Sequence, residues 1–167
     1  YNSRADVPVG EFWMPAEVRV DCKVAASVAH TYNRPIAAAE SFTEGAGQFR
    51  DDPFALKALG DHAFATGINR FIIHRYAMQP WIGVEPGMLF GAYGINFDRT
   101  QTWWENGAKA WCEYLGRCQA LLQAGQFVAD VAVFIGDGAP NYLGHREEIW
   151  DPVPAGYDYD GVNLEIL

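Results

Sequence analysis

No apolar run in this sequence approaches the roughly 20 residues that a membrane-spanning helix needs, and basic residues are scarce. Twelve Lys and Arg stand against 21 Asp and Glu, giving a net charge of −9. That balance argues against a nucleic-acid partner, which calls for a basic face, and fits a soluble protein acting on a neutral substrate. Cysteine is limited to Cys22, Cys112 and Cys118. An odd number without CxxC spacing argues against both a disulfide framework and a zinc site, leaving three buried free thiols as the expectation. Serine occurs only at Ser3, Ser27 and Ser41, which weakens the case for acyl transfer. There is no GxSxG elbow, no phosphate-binding loop, no GxGxxG and no HExxH. Neither a signal peptide nor an initiator Met is visible at Tyr1, so the chain is expected to be an excised or processed piece, and its compartment is not legible at the N-terminus.

What is present is globular. Half of the 167 residues are hydrophobic and 14% are aromatic, with six Trp and eight Tyr. Such a ring content serves either a large core or a cleft whose flat rings stack on sugar faces, and composition leaves both open. Residues 1–20 read as irregular or strand-like. Asp21 can cap a helix from about Cys22 to Tyr32, stopped at Asn33. Pro35 opens a short apolar strand from Ile36 to Glu40. Asp51, Asp52 and Pro53 mark a second helix start, and Gly67 its stop. Ile68 to His74 reads as a buried strand. Residues 76–101 form a long loop with Trp81, Phe90, Tyr93 and Phe97, a length usually reserved for function. The run Thr102–Glu105 fits a capping box for a helix ending near Gly125, and Val128 to Ile135 is a further strand. The tail from Asn141 to Gly161 shows no clear element. Strand and helix alternate, so the expected class is α/β with a parallel sheet.

The chemistry centres on Glu40. A carboxylate ending an apolar strand sits where a parallel barrel keeps its active site. The alternative is a structural carboxylate ion-paired to Arg34, Arg70 or Arg75, and the sequence leaves both readings standing. Glu11, in Val-Gly-Glu-Phe-Trp, is a second carboxylate or a surface loop acid. His74 is a sugar-binding imidazole or a satisfied core residue. Asp130 and Asp137 flank the last apolar strand, and Asp137 can hold a ligand or cap a turn.

Several phrases in one order carry more than any of them alone. They are Ala39-Glu-Ser-Phe-Thr43, Gly67-Ile-Asn-Arg-Phe71, His74-Arg-Tyr-Ala-Met-Gln-Pro80, Arg99-Thr-Gln-Thr-Trp-Trp104, Tyr114-Leu-Gly-Arg-Cys-Gln119 and Gly156-Tyr-Asp-Tyr-Asp160. Together they resemble the α-L-rhamnosidases of glycoside hydrolase family 106 over nearly the whole chain. The resemblance implies a fragment: residues 1–125 as the C-terminal part of a (β/α)8 TIM-type barrel, and residues 126–167 as the start of a following α/β domain. It implies hydrolysis of terminal α-L-rhamnosyl linkages with inversion, Glu40 as the catalytic base, and a partner acid upstream of Tyr1. Glu11, His74, Arg75, Trp81, Trp104 and Asp137 are the expected substrate-binding residues. It also suggests a calcium ion near the site, although no calcium-loop pattern is present, and an extracellular or periplasmic location. Expected partners are a rhamnose-containing glycoside and the remainder of the parent chain, with no nucleic acid and no membrane. The isolated fragment is expected to be inactive. Two departures stand out: Gly136-Asp-Gly138 replaces a Gly-Glu-Asp common in the family, and only Asp6 and Glu11 lie near Val9, where the family often carries an acid. The competing functions are a β-galactosidase-like barrel acting on another sugar and a non-catalytic carbohydrate-binding protein.

Overall fold

A computed structural model describes residues 2–15, 18, 20–45, 49–85, 87–88, 94–149 and 153–167; Phe90 and Tyr93 of the long loop lie outside them. Three strands, β1 (Val9–Met14), β2 (Ala38–Glu44) and β3 (Arg70–Ile73), pair in parallel in chain order. Helix α1 (Val20–Thr31) connects the first two and α2 (Pro53–Ala65) the second and third. This is the helical crossover that parallel strands require. A third helix, α3 (Lys109–Ala124), follows β3, entered through a π-helical turn at Trp104–Ala108.

The local signals explain the helix ends. Asp52 is extended and its side chain accepts the Ala55 N–H at 2.9 Å, with Pro53 filling the first helical position, where its missing N–H costs nothing. Asn33, at φ 53°, ends α1, and Gly67, at φ 109°, ends α2, each in the left-handed conformation that closes a helix. The capping box at Thr102–Glu105 does not form: Trp103 stands at the entry without a side-chain cap, and Glu105 lies inside the π turn. Asp21 likewise sits within the first turn of α1, one residue past its start.

The core lies between the sheet and the helices. Phe12 and Phe42 are wholly buried, with ring centroids 4.9 Å apart at 84°, and both meet Phe71 edge-on at 5.5 and 5.6 Å. Edge-to-face packing of this kind matches the quadrupoles of the rings. Gly10 lies under α1, where a Cβ would stand 2.6 Å from the Asp21 carbonyl oxygen; only glycine permits that approach.

Two strands complete the chain. β4 (Val131–Phe134) pairs in parallel with β5 (Tyr159–Val162). β5 falls in the tail that showed no element in the sequence. This small sheet packs on α1 on the side away from β1. The Gly161 N–H donates to Ser27 Oγ at 2.6 Å, Lys23 Nζ donates to both Asp158 oxygens at 2.9 Å, and His30 Nδ1 lies 3.1 Å from both oxygens of Asp160. Of the cysteines, only Cys22 is fully buried, and burial, with Asp21 and Glu11 nearby, pushes its thiol up to about 12. Cys112 is exposed and Cys118 half-buried, which corrects the expectation of three buried thiols.

Candidate active site

Glu40 is not the end of its strand. β2 continues through Ser41, Phe42 and Thr43 to Glu44, so the apolar run marked the strand's beginning and its polar residues carried it on. Phe42 stands at φ 62°, a conformation that a bulky residue adopts only when its surroundings hold it. The register shifts there: Glu11 pairs with Glu40, whereas Trp13 pairs with Thr43. The extra residue in β2 is a bulge, which re-aims side chains at the C-terminal end of the sheet.

Pairing fixes the faces. Gly10 and Phe12 point to the helices, so Glu11 points the other way. Glu11, Glu40 and Ile72 stand in one row across the three strands, with Val9, Ala38 and Arg70 in the row below. Val9 and Ile72 are 43% and 49% exposed. The helix-free face of the sheet therefore presents two carboxylates flanked by uncovered apolar side chains. Glu11 and Glu40 also line, with Asn2, Val9 and Gly10, a hollow of about 370 Å³ that α1 walls with Asp21 and Val24. Glu40 Oε1 accepts the Thr43 hydroxyl at 2.9 Å, a bond that orients the carboxylate without neutralising it. Among the described residues Glu40 makes no ion pair: Arg34, Arg70 and Arg75 all leave it alone.

The other expected residues are spread over distinct places. His74 follows β3 and is tied to β2 through its N–H, which donates to the Ser41 carbonyl at 2.9 Å, while its Nδ1 is buried without a partner. Arg75 is buried and donates to Asn96 Oδ1 at 2.9 Å. Desolvation lowers its pKa, against the pull of Asp98. Trp104 is half-buried among Phe97, Trp103 and Tyr76, with centroids 5.3, 6.1 and 6.3 Å away. Trp81 is half-exposed on the long loop, where its carbonyl accepts from Arg99 at 3.4 Å. Asp137 belongs to the other sheet; its Oδ1 accepts the Leu164 N–H at 3.1 Å.

The sequence reading missed the acid that does end the strand. Glu44 is buried, and Arg50 donates to its Oε1 at 2.7 Å while lying 3.6 Å from Asp51 Oδ2. Burial, then the charge of Asp51 and a hydrogen bond between the two carboxyl groups, holds the Glu44 pKa above the usual range, with Arg50 pulling the other way. The folded protein therefore keeps a proton that the unfolded chain releases in the ordinary carboxyl range. The stability this contributes is complete below that range and is lost as the pH rises through the raised folded value. Glu44→Gln, which carries its hydrogen permanently, is expected to flatten that decline. Melting temperatures of the parent protein across the acidic range to neutrality test this; a variant profile parallel to wild type would remove Glu44 from the account. Behind it, Asn96 and Asp98 are wholly buried, and Asp98 Oδ1 accepts from Gln79 Nε2 at 3.2 Å and from the Thr100 N–H at 2.8 Å. They order the described end of the long loop. Among the described residues no three His, Cys, Asp or Glu side chains come together in a way that could hold a metal ion.

Comparison with known proteins places the family and the fold. The glycoside hydrolase family 106 model, described as alpha-L-rhamnosidase, matches residues 1–167. A Formosa agariphila protein named "Putative beta-glucuronidase" is 44% identical over 160 residues, which is 95% of this chain and 13% of that protein. A solved rhamnosidase from Novosphingobium sp. PP1Y superposes with a TM-score of 0.85 at 34% identity, covering 99% of this chain and 16% of the other. The chain thus spans 13–16% of the length of these relatives, and its mixed α/β fold is that of the corresponding part of a rhamnosidase.

Proposed function

We propose that this chain, which belongs to the alpha-L-rhamnosidase family of glycoside hydrolases, forms the Glu40 side of an active site that hydrolyses terminal α-L-rhamnosyl linkages with inversion. The observation that carries this reading is the position of Glu40: on the helix-free face of a parallel sheet, in register with Glu11, lining a hollow and outside any ion pair among the described residues. A carboxylate there has room beside it for a water.

The same face supports a barrel architecture for the parent. Residues 1–125 are the C-terminal part of a (β/α)8 barrel, whose other strands cover the exposed Val9 and Ile72 and close the free edges of β1 and β3; an uncovered edge is a liability in any sheet. Residues 126–167 begin the next α/β domain. In the mechanism, Glu40 takes a proton from a water that attacks the anomeric carbon. An acid from another part of the parent chain protonates the departing oxygen, and the two carboxyl groups stand about 6.5–9.5 Å apart to hold that water between them. Glu11, His74, Arg75, Trp81 and Trp104 contact the sugar, and Asp137 contacts a more distant part of the substrate. Residues 1–167 alone lack the acid and are inactive. The partners are a rhamnose-bearing glycoside and the rest of the parent chain, with neither nucleic acid nor membrane, at an extracellular or periplasmic location.

The name of the Formosa agariphila relative gives the strongest competing substrate, a glucuronide. A panel of aryl glycosides offered to the parent enzyme separates the readings. The α-L-rhamnoside is expected to be cleaved and the β-D-glucuronide and β-D-galactoside left intact; preferential cleavage of either of the latter overturns the rhamnosidase reading.

A further inference from the structure

A second hollow, of about 640 Å³, opens at the end of the sheet where β2 and β3 begin. Its volume falls within the range of about 300–1,000 Å³ typical of small-molecule sites. The C-terminal ends of three helices converge on it: His30 from α1, Phe64 from α2 and Gln123 from α3 all line it. Arg34 reaches in from the chain just after α1, and its Nε is buried without a hydrogen-bond partner. The lining contains no carboxylate. Phe127 forms an aromatic wall, stacked on the His30 ring at 3.8 Å and 8°.

This combination selects a ligand class. Arg34 lines the hollow, and a guanidinium, which only donates, favours an occupant that brings an oxygen. A full anion would satisfy it but would face three helix ends whose carbonyls carry negative partial charge. A cation would suit the helix ends and be repelled by Arg34. A neutral polyol answers both, because each hydroxyl accepts from the guanidinium and donates to a carbonyl or amide oxygen. The aromatic wall supplies an apolar surface for the ring of a sugar.

We propose that this cavity is a second, non-catalytic saccharide site that takes one neutral pyranose unit, with Arg34 and the amide of Gln126 on its hydroxyls and Phe127 on its face. It rests on the carbohydrate reading above, though not on Glu40. Its place at the opposite end of the strands from the barrel's working end suits it to hold a substrate chain beside the enzyme rather than to react with it.

Gly125 provides the test. It lines the cavity, and a Cβ built there meets nothing within 4 Å, so Gly125→Trp fills the hollow without displacing the fold. Isothermal titration of the parent protein carrying Glu40→Gln with L-rhamnose is expected to show two sites per chain, and one when Gly125→Trp is added. In the parent with Glu40 intact, Gly125→Trp is expected to leave turnover of an aryl α-L-rhamnoside unchanged. Arg34→Gln is expected to weaken the same site, and it carries the test should the tryptophan variant fail to fold. One site per chain, equal with and without Gly125→Trp and Arg34→Gln, overturns the proposal. Full activity of Glu40→Gln would sink the catalytic reading while leaving this count of sites intact.

Discussion

Replacing Glu40 with glutamine in the parent enzyme is expected to lower kcat on an aryl α-L-rhamnoside about 1,000-fold, within the contribution of a positioned general base. Glutamine keeps the volume and still accepts the Thr43 hydroxyl, so the β2 bulge and the hollow remain as they are. What disappears is the ability to take a proton from water. With Glu40 in the proposed role, acting on the attacking water rather than binding the sugar, KM is expected to change little, and the loss falls on kcat and kcat/KM alike. Glu11→Gln, one strand away in the same row, provides the contrast. As a binding carboxylate it should raise KM more than it lowers kcat. Equal and small effects at both positions would reduce the pair to surface acids of an exposed face.

The second large effect is structural. Phe12→Ala is expected to cost the catalytic region about 3–5 kcal/mol, the usual range for removing a fully buried phenylalanine. For a unit of this size that lowers the melting temperature on the order of 10 °C. Phe12 touches Phe42 and Phe71, and Phe42 stands at φ 62°, a conformation that a bulky residue keeps only when its surroundings hold it. Removing Phe12 therefore loosens the residue that sets the bulge beside Glu40. Activity is expected to fall further than stability alone explains, measured well below the melting transition. A loss under about 1 kcal/mol, outside the range for deleting a buried ring, would show that the three rings do not form the centre of this core.

The same bulge shows where the sequence could and could not be read. Helix boundaries written in local chemistry were legible: Asp52-Pro53 at the start of α2, Asn33 and Gly67 at two helix ends. The parallel arrangement followed from alternation of elements. The length of β2 was not legible, because Ser41 and Thr43 look like loop residues until one sees that both are buried within the strand, where Ser41 Oγ donates to the Ala39 carbonyl. Glu44 was missed for the same reason, since its partners Arg50 and Asp51 return only after the chain has turned. β5 was hidden by its composition. Tyr-Asp-Gly-Val has no strong strand period, and Asp160 is tolerated inside only because His30 and Lys23 arrive from α1. Such long-range compensation leaves no trace in a local pattern. The capping box at Thr102–Glu105 failed in the opposite sense, a correct local motif overridden by the packing of Trp103, whose Nε1 donates to the Asp51 carbonyl at 3.2 Å. Of the candidate site, the pairing of Glu11 with Glu40 was the part that only register could supply.

Chemical rescue of Glu40→Ala in the parent enzyme probes the role of this carboxylate most directly. With the base removed and space left in its place, azide is expected to attack the anomeric carbon unaided, restoring turnover of an activated aryl α-L-rhamnoside and yielding β-L-rhamnosyl azide, identified by NMR. Turnover that azide does not raise, or a rhamnosyl azide of retained α configuration, would contradict a water-activating role for Glu40.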